Sequence, residues 1–202
     1  MSTTVERRRL GGKERQATII EAAGRLFGEW GYEGTRLDQI AAAAGVTKPI
    51  LYRHFAGKQA LYLALLERHR DDLGRFAAAI PSEGSEEERL RAVIEVWVSY
   101  VETHSYAWQM IFRDSGGGPK VQAFRREVNE RARQVLVEII RAQNRVQIPR
   151  RELRPLAVLM SMGMASLVLW WLENPGVPRA AIVETITRVW VGLLTGRVER
   201  QS

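Results

Sequence analysis

The segment 44–58, AGVTKPILYRHFAGK, gathers hydroxyl, ammonium, guanidinium and imidazole groups within a few residues. Such groups can donate hydrogen bonds to phosphate oxygens and to the acceptor edges of bases. Thr47 can start a helix here, and Gly57 can stop it after about two turns. Because so short a helix is unstable alone, the segment predicts a functional helix that its neighbours hold in place.

Helical periodicity assigns each side chain of this segment to a face. Thr47 is predicted to be the N-cap, and Pro49 lies in the first turn, where its missing N–H removes no intrahelical bond. Val46 and Leu51 can form a hydrophobic staple, so Leu51 and Phe55 point inward. The residues that point outward, or flank the outward face, are Lys48, Pro49, Ile50, Tyr52, Arg53 and His54.

Two further predicted helices precede this segment. The first covers about residues 13–30 and ends at Gly31. The second begins at Thr35, whose hydroxyl is predicted to form a capping box with the Asp38 carboxylate, and ends at Gly45. Two short helices joined by a tight turn after a longer helix make a helix-turn-helix, which places its second helix in the DNA major groove.

The chemistry of the outward face suits DNA. Its cationic groups can donate to guanine or phosphate, its hydroxyls can bond phosphate, and Pro49 and Ile50 can pack against thymine methyl groups. Lys58 is predicted to anchor a phosphate at the start of the next helix. The predicted DNA-binding residues are Thr35, Arg36, Thr47, Lys48, Pro49, Ile50, Tyr52, Arg53, His54 and Lys58. The alternative is a three-helix packing unit with an ordinary solvated basic face.

Composition fits a protein with an acidic partner. The 202 residues carry a net charge of +7, of which +4 lies in the first 58 residues. The absence of cysteine excludes disulfides, cysteine-based zinc sites and thiol nucleophiles, and favours a reducing cytoplasm. The N-terminus has no apolar segment typical of a secretory signal and is predicted to be a disordered basic arm. The uncharged run at residues 156–172 could span a membrane, but we expect a buried core or interface helix.

Apolar residues at helical spacing dominate the rest of the chain, so the predicted fold is all-α with about nine helices. The remaining helices are expected at about residues 57–80, 86–104, 106–114, 119–144, 152–174 and 179–195. The predicted organisation is an arm (1–12), a DNA-binding domain (13–58) and a ligand-binding and dimerisation domain (59–202).

The last two helices are predicted to form a homodimer interface. One short recognition helix makes too few contacts for tight binding, so a dimer reading a palindromic operator is physically sensible. Small residues repeat every four positions, and large apolar residues extend the stripe. The predicted interface residues are Ala157, Ser161, Ala165, Leu169, Trp170, Ile186, Trp190 and Leu194. The alternative is that these helices belong to the core of a single chain.

Aromatic and sulfur-containing residues in the larger domain predict a pocket for a lipophilic ligand. The predicted lining is Trp97, Tyr100, His104, Trp108, Phe112, Phe124, Met160, Met164 and Trp171. His69, Arg113 or Arg125 could meet an anionic end of the ligand at the pocket mouth. A plain core is the alternative for any one of these residues.

The run TRLDQIAAAAGVTKPILYRHFAGKQALYLALLERH closely resembles the N-terminal domain of the TetR family over about residues 13–65. The resemblance implies a homodimeric repressor whose all-helical second domain senses a small molecule and releases DNA. Carried over position by position, the motif assigns DNA contacts to Thr47, Lys48, Pro49, Tyr52, His54 and Lys58. Ile50 departs from the small residue or Thr usual in the family, and Arg53 lies at a variable position.

A second resemblance concerns the effector. The segments KPILYRHFAGKQALYLALLERHRDDL, YAWQMIFRD and WWLENPGVPRAAIVETITRVWVGLL look like those of TetR-type regulators of fatty-acid metabolism. That resemblance implies a long-chain acyl-CoA as ligand. A regulator of drug efflux or of another catabolic route, sensing a different hydrophobic molecule, is the alternative.

Other classes have less support. The three histidines do not form a metal pair at i, i+4 spacing, and neither G-x-S-x-G nor H-E-x-x-H occurs. SGGGPK at residues 115–120 lacks the register of a phosphate-binding loop. We therefore predict no catalytic residues, no cofactor and no metal. A helical scaffolding dimer is the remaining alternative, and sequence-specific DNA binding would distinguish it from a regulator.

Overall fold

The computed structural model describes residues 11–78, 83–142 and 148–195, and all regular structure within these ranges is helical. Nine α-helices follow one another in this part of the chain, with a π-helical turn after the sixth, which confirms the all-α prediction. They are α1 (Gly12–Gly34), α2 (Leu37–Ala43), α3 (Lys48–His54), α4 (Lys58–Ala78), α5 (Glu86–Thr103), α6 (Ser105–Trp108), the π turn (Gln109–Arg113), α7 (Gly118–Ala142), α8 (Arg150–Glu173) and α9 (Arg179–Thr195).

The predicted boundaries differ from the structure mainly where the backbone departs from the α-helix. Gly31 interrupts α1 with φ 70°, at the residue where the helix was predicted to end. Helical residues continue beyond this break to Gly34. The single helix predicted at residues 106–114 is a short α6 followed by the π turn, which Asp114 N closes by donating to Gln109 O at 3.0 Å. The predicted basic arm, apart from Gly11 and Gly12, lies outside the described residues.

One hydrophobic core joins the first four helices to the middle of the chain. Ile19, Phe27, Ile40 and Leu51 are buried together with residues from α4, the π turn and α7. α1 approaches α6 closely, because a Cβ at Gly24 or Gly28 would lie 2.6 Å from an atom of Tyr106. Any side chain at these two glycines would therefore push α6 away from α1.

A second core lies among α5, α7, α8 and α9. It contains Ala157, Ile186 and Trp190, which the sequence assigned to a dimer interface, and Ala165 of the same set is also buried; each of the four is at most 4% exposed. That assignment is wrong for these four, because their side chains already pack within the chain. Leu169 is half-buried, Trp170 is 48% exposed, and the side chain of Leu194 lies outside the described part.

α8 and α9 nevertheless leave an apolar surface uncovered. Six large apolar side chains of these helices are exposed, and together they are called the exposed apolar face: Val158, Leu159, Met162 and Trp170 on α8, and Val189 and Leu193 on α9. By length and composition alone α8 could also cross a bilayer, although 28% of its most apolar window is buried inside the protein. Exposed apolar patches of this kind mark contact surfaces in soluble proteins.

Candidate DNA-binding surface and effector cavity

The turn between α2 and α3 is built by the last residues of α2. Gly45 adopts φ 64°, a conformation that favours glycine, and its N–H donates to Ala42 O at 3.0 Å. Val46 N donates to Ala41 O at 2.9 Å, and these two bonds close the C-terminus of α2. Leu51 and Phe55 of the following helix are buried, which confirms their predicted inward direction.

The outward face of α3 is open to solvent. Lys48, Pro49, Tyr52 and Arg53 are exposed, and Ile50 and His54 are partly buried at its margins. Exposure is necessary for the predicted DNA contacts, which stay predictions. Thr47 occupies the predicted N-cap position, and its carbonyl accepts from Leu51 N at 3.1 Å, but its side chain makes no capping bond.

Thr35 does not have its predicted role. Its side chain is fully buried, and its hydroxyl contacts Leu26 O at 3.0 Å and Gly31 O at 2.8 Å. Both carbonyls belong to α1, and the hydroxyl has one hydrogen to donate to them. The N-cap of α2 is Arg36, whose N–H donates to Gln39 Oε1 at 2.9 Å. The predicted capping box and the predicted DNA contact of Thr35 are therefore both wrong.

Lys58 is also committed within the chain. Its Nζ donates to Tyr32 O at 2.7 Å and to Thr35 O at 3.1 Å, and it lies 4.4 Å from the centre of the Tyr32 ring. Two of its three N–H groups are thus used to tie α4 to the end of α1. The predicted phosphate contact of Lys58 stays a prediction.

Asp38 is a charged member of the surface that the sequence analysis did not assign to DNA binding. It accepts from Arg36 Nε at 3.2 Å and Nη2 at 2.9 Å, and it lies 3.9 Å from Lys48 Nζ. The hydrogen bond from Arg36 is the main cause that lowers the pKa of the Asp38 carboxyl. The adjacent opposite charges in the sequence, Arg-Leu-Asp, were the available signal.

A buried polar network joins α1, α4, the π turn and α7. Asp114 accepts from Tyr32 N at 2.7 Å and from Gly116 N at 2.9 Å. Arg125 Nη2 lies 3.3 Å from Asp114 Oδ2, with both side chains at most 10% exposed. The Tyr62 hydroxyl accepts from Arg125 Nη2 at 2.6 Å and lies 2.9 Å from Asp114 Oδ2, and burial raises its pKa.

The three residues proposed for a pocket mouth have other partners within the chain. Arg125 belongs to the buried network, where it also donates to Met110 O at 2.9 Å. Arg113 forms an exposed ion pair with Glu173. His69 is 2% exposed and hydrogen-bonded with the Tyr100 hydroxyl, and burial lowers its pKa to about 3. These positions could not be read from the sequence, because their partners are distant along the chain.

An apolar cavity of about 70 Å³ lies among α5, α6, the π turn, α7, α8 and α9. Four of the residues predicted to bind ligand line it: Trp97, Trp108, Phe112 and Met164. The Trp108 ring stacks on Phe112 with centroids 5.5 Å apart and meets Trp97 edge-on at 5.4 Å. Ser161 and Trp190, which the sequence assigned to a dimer interface, line the cavity instead.

The other predicted ligand residues lie elsewhere. Tyr100 and His104 line a separate open cleft with Arg68, Asp72 and Arg75 on α4 and α5. Phe124 packs against the first core beneath the Arg70 guanidinium. Met160 and Trp171 are buried in the second core, where Trp171 Nε1 donates to Val177 O at 2.9 Å. These five residues do not line the apolar cavity.

The family model of bacterial regulatory proteins, tetR family, matches residues 19–65 of the chain. The chain is 32% identical over 193 residues to the HTH-type transcriptional activator FasR of Mycolicibacterium smegmatis. That alignment covers 92% of this chain and 85% of FasR.

Solved structures share the fold across both cores. A tetR-family regulator from Streptomyces coelicolor superimposes with a TM-score of 0.70 at 27% identity, covering 91% of this chain and 82% of the other. FadR of Bacillus subtilis, solved in complex with stearoyl-CoA, superimposes with a TM-score of 0.68 at 18% identity, covering 89% and 98% of the two chains. At that identity the second likeness concerns the fold alone.

Proposed function

Because the chain belongs to the TetR family of DNA-binding transcriptional regulators, we propose that it binds a palindromic operator as a homodimer and is released by a lipophilic small molecule. The observation that carries the effector part is the apolar cavity, two of whose walls are α6 and the π turn. Both elements pack directly against α1, the first helix of the DNA-binding unit. A ligand that moves them therefore acts on the helices that position α3.

The size of the cavity supports release by expansion. A volume of about 70 Å³ is well below the roughly 300–1,000 Å³ of typical ligand pockets, so a long-chain ligand fits only after the walls separate. Trp108 and Phe112 are the wall residues on α6 and the π turn. Their displacement would shift α6 against Gly24 and Gly28 of α1, where no space is left between the helices.

The polar atoms of the cavity favour a ligand with an acceptor oxygen. The Trp108 Nε1 donor is buried without a protein partner, and Asn129 and Ser161 are the polar side chains in the lining. A buried unsatisfied donor costs about 1–3 kcal/mol, which a ligand carbonyl would recover. A long acyl chain matches the apolar lining, and its carbonyl oxygen supplies an acceptor for Trp108 Nε1. The stearoyl-CoA bound by FadR supports a long-chain acyl-CoA as the effector.

The exposed apolar face of α8 and α9 is the proposed dimer interface. It replaces the stripe predicted from small residues, most of which is buried within the chain. A symmetric pair of these faces would cover the exposed Leu159 and Trp170 side chains and present two copies of α3 to successive major grooves. Leu159→Glu is expected to give a monomer with weak operator binding in sedimentation and anisotropy measurements. Val96→Glu, on an exposed site of α5, is the control and should stay dimeric.

The direction of regulation is tested at the promoter. The family resemblance implies a repressor, whereas FasR is named as an activator. We expect a repressor to lower expression from a promoter fused to its operator, and expression should rise on addition of the effector. Lower expression after deletion of the gene would instead identify an activator.

The central experiment selects an operator from random DNA with the purified protein and then titrates effectors against the complex. Specific binding should weaken steeply with salt, and stearoyl-CoA should release the DNA. Mass spectrometry of the native protein should detect a co-purified acyl lipid. If saturating stearoyl-CoA leaves the specific complex unchanged, this effector is excluded.

The role of the Trp108 donor is tested by Trp108→Phe. Loss of one hydrogen bond of about 1 kcal/mol should weaken acyl-CoA binding about fivefold. Trp30→Phe, at an exposed position on α1, is the matched control. Equal affinities of the Trp108 variant and the wild type would show that the ligand carbonyl does not meet this donor.

A further inference from the structure

Asp38 is an acidic side chain placed between two cations of the helix-turn-helix. Arg36, at the N-cap of α2, donates to both of its carboxylate oxygens, and Lys48, the first residue of α3, lies 3.9 Å from Oδ2. The carboxylate therefore bridges the two helices of the motif at their exposed N-terminal ends. The three side chains are 39% to 73% exposed, so DNA phosphates could reach all of them.

Such a carboxylate acts on every DNA molecule that approaches. It repels phosphates, and it competes with them for the hydrogen bonds of Arg36 and the charge of Lys48. The phosphate backbone carries the same charge in any DNA sequence. Non-specific binding depends on contacts to phosphate, so competition from the Asp38 carboxylate weakens it. A base edge in the correct position offers a directed bond as well, which can compete with Asp38 more effectively.

The carboxylate also restricts the two cations before DNA arrives. Arg36 is held by two hydrogen bonds in a planar fork, which removes much of the rotational freedom of its side chain. Lys48 is attracted to the same oxygen that accepts from Arg36 Nη2. Preorganisation of this kind favours the one geometry that fits a specific site over the many that fit random DNA.

We propose that Asp38 is a positioning residue that sets the discrimination between operator and random DNA, by holding Arg36 and Lys48 and by opposing their contacts to phosphate. The inference rests on the proposed function in one respect, namely that Arg36 and Lys48 face the DNA. It assigns a role in DNA recognition to a carboxylate, which has no hydrogen-bond donor to offer to DNA.

The test is Asp38→Asn in the full-length protein, which keeps the shape of the side chain and removes its charge. Affinity for random DNA is expected to rise by about two- to fivefold per protomer, the equivalent of one exposed ion pair. The freed cation should neutralise about one further phosphate, so the slope of log K against log salt becomes steeper by about 0.9 per protomer. The ratio of operator affinity to random-DNA affinity should fall.

Two variants separate this role from a change in net charge or in folding. Asp71→Asn makes the same charge change at an exposed ion pair on α4 and should leave the ratio unchanged. Asp38→Glu keeps the charge and should retain the wild-type salt slope, which also provides a readout if Asp38→Asn fails to fold in circular dichroism. With Lys48→Ala in the background, Asp38→Asn should have a smaller effect, because one of its two partners is gone.

The outcomes distinguish the two levels of the proposal. If the wild type selects an operator but a folded Asp38→Asn shows the ratio and salt slope of Asp71→Asn, or if Asp38→Glu shows a steeper salt slope than the wild type, the role of Asp38 is overturned and the regulator remains. If the wild type itself binds all DNA equally, the proposed operator binding fails, and the inference fails with it. A lower ratio and a steeper slope confined to Asp38→Asn would support the inference.

Discussion

Two aspartates of this protein each hold an arginine, one at the surface and one in the interior. Asp38 binds Arg36 and attracts Lys48 on the proposed DNA-binding face, with its side chain 39% exposed. Asp114 binds Arg125 and accepts two backbone N–H groups where α1, α4 and α7 meet, with its side chain 10% exposed. The chemistry of the two pairs is the same, and their surroundings differ.

The difference in burial predicts opposite energetic behaviour. An exposed pair is screened by water and contributes about 0–1 kcal/mol, so its cations can exchange Asp38 for DNA at low cost. A buried pair loses hydration that only its complete set of hydrogen bonds replaces, so removal of one member leaves an uncompensated charge. The surface pair is thus suited to exchange of its partner, and the interior pair to holding α1 and α4 against the π turn and α7.

Arg125→Met tests this contrast most strongly. The substitution leaves the Asp114 carboxylate buried without its cation, and we expect the free energy of unfolding to fall by about 3–5 kcal/mol. Urea unfolding at fixed protein concentration measures the change. Arg126→Met, at the adjacent exposed position of α7, is the control. A loss below about 1 kcal/mol would contradict the structural role of the buried pair.

Tyr62→Phe removes the hydroxyl that accepts from Arg125 Nη2 and lies beside Asp114 Oδ2. We expect a loss of about 1–3 kcal/mol in unfolding free energy, because buried polar atoms lose a partner. Tyr52→Phe, on the exposed face of α3, should change stability by less than about 0.5 kcal/mol. Equal losses of unfolding free energy in the two variants would show that the buried hydroxyl contributes no more to stability than the exposed one.

His69 extends the comparison to a buried group that stays neutral. Its pKa is lowered to about 3 by burial, so the unfolded chain takes up the proton first as pH falls through about 6.5. Stability is expected to decrease by about 1.4 kcal/mol per pH unit between pH 6.5 and 5, above the range in which most carboxylates titrate. His69→Gln should remove this dependence in thermal or urea unfolding. An unchanged slope would mean that His69 is protonated in the folded state.

Arg36→Met gives the smallest expected effect and is the direct counterpart of Arg125→Met. Because Arg36 is 73% exposed, its loss should change the free energy of unfolding by less than about 1 kcal/mol. Random-DNA binding measured on the same preparation should weaken, since one cation of the proposed surface is gone. A stability loss as large as that of Arg125→Met would show that exposure does not control the strength of these pairs.

Much of the fold was predictable because helices depend on local patterns. The bounds of α9 agree with the prediction, and Leu51 and Phe55 are inward as the helical step requires. The π turn was not predicted, because a change from hydrogen bonds between residues four apart to residues five apart leaves no signal in the amino-acid composition. Of the predicted ligand-binding residues, Trp97, Trp108, Phe112 and Met164 line one cavity, and their contact with a ligand stays a prediction.

The sequence by itself determined the helices other than the π turn, the exposed face of α3 and the family, since each depends on residues close together in the chain. Only the tertiary structure decided which polar side chains remain available for a ligand. Thr35, Lys58 and Arg125 carry suitable groups, yet each is bonded to other parts of the protein. Tyr32 and Asp114, which meet in the buried network, are 82 residues apart. Such pairs come together only when the chain folds. A polar group that is buried beside a partner of this kind bonds to it within the protein and is not available to bind DNA or an effector.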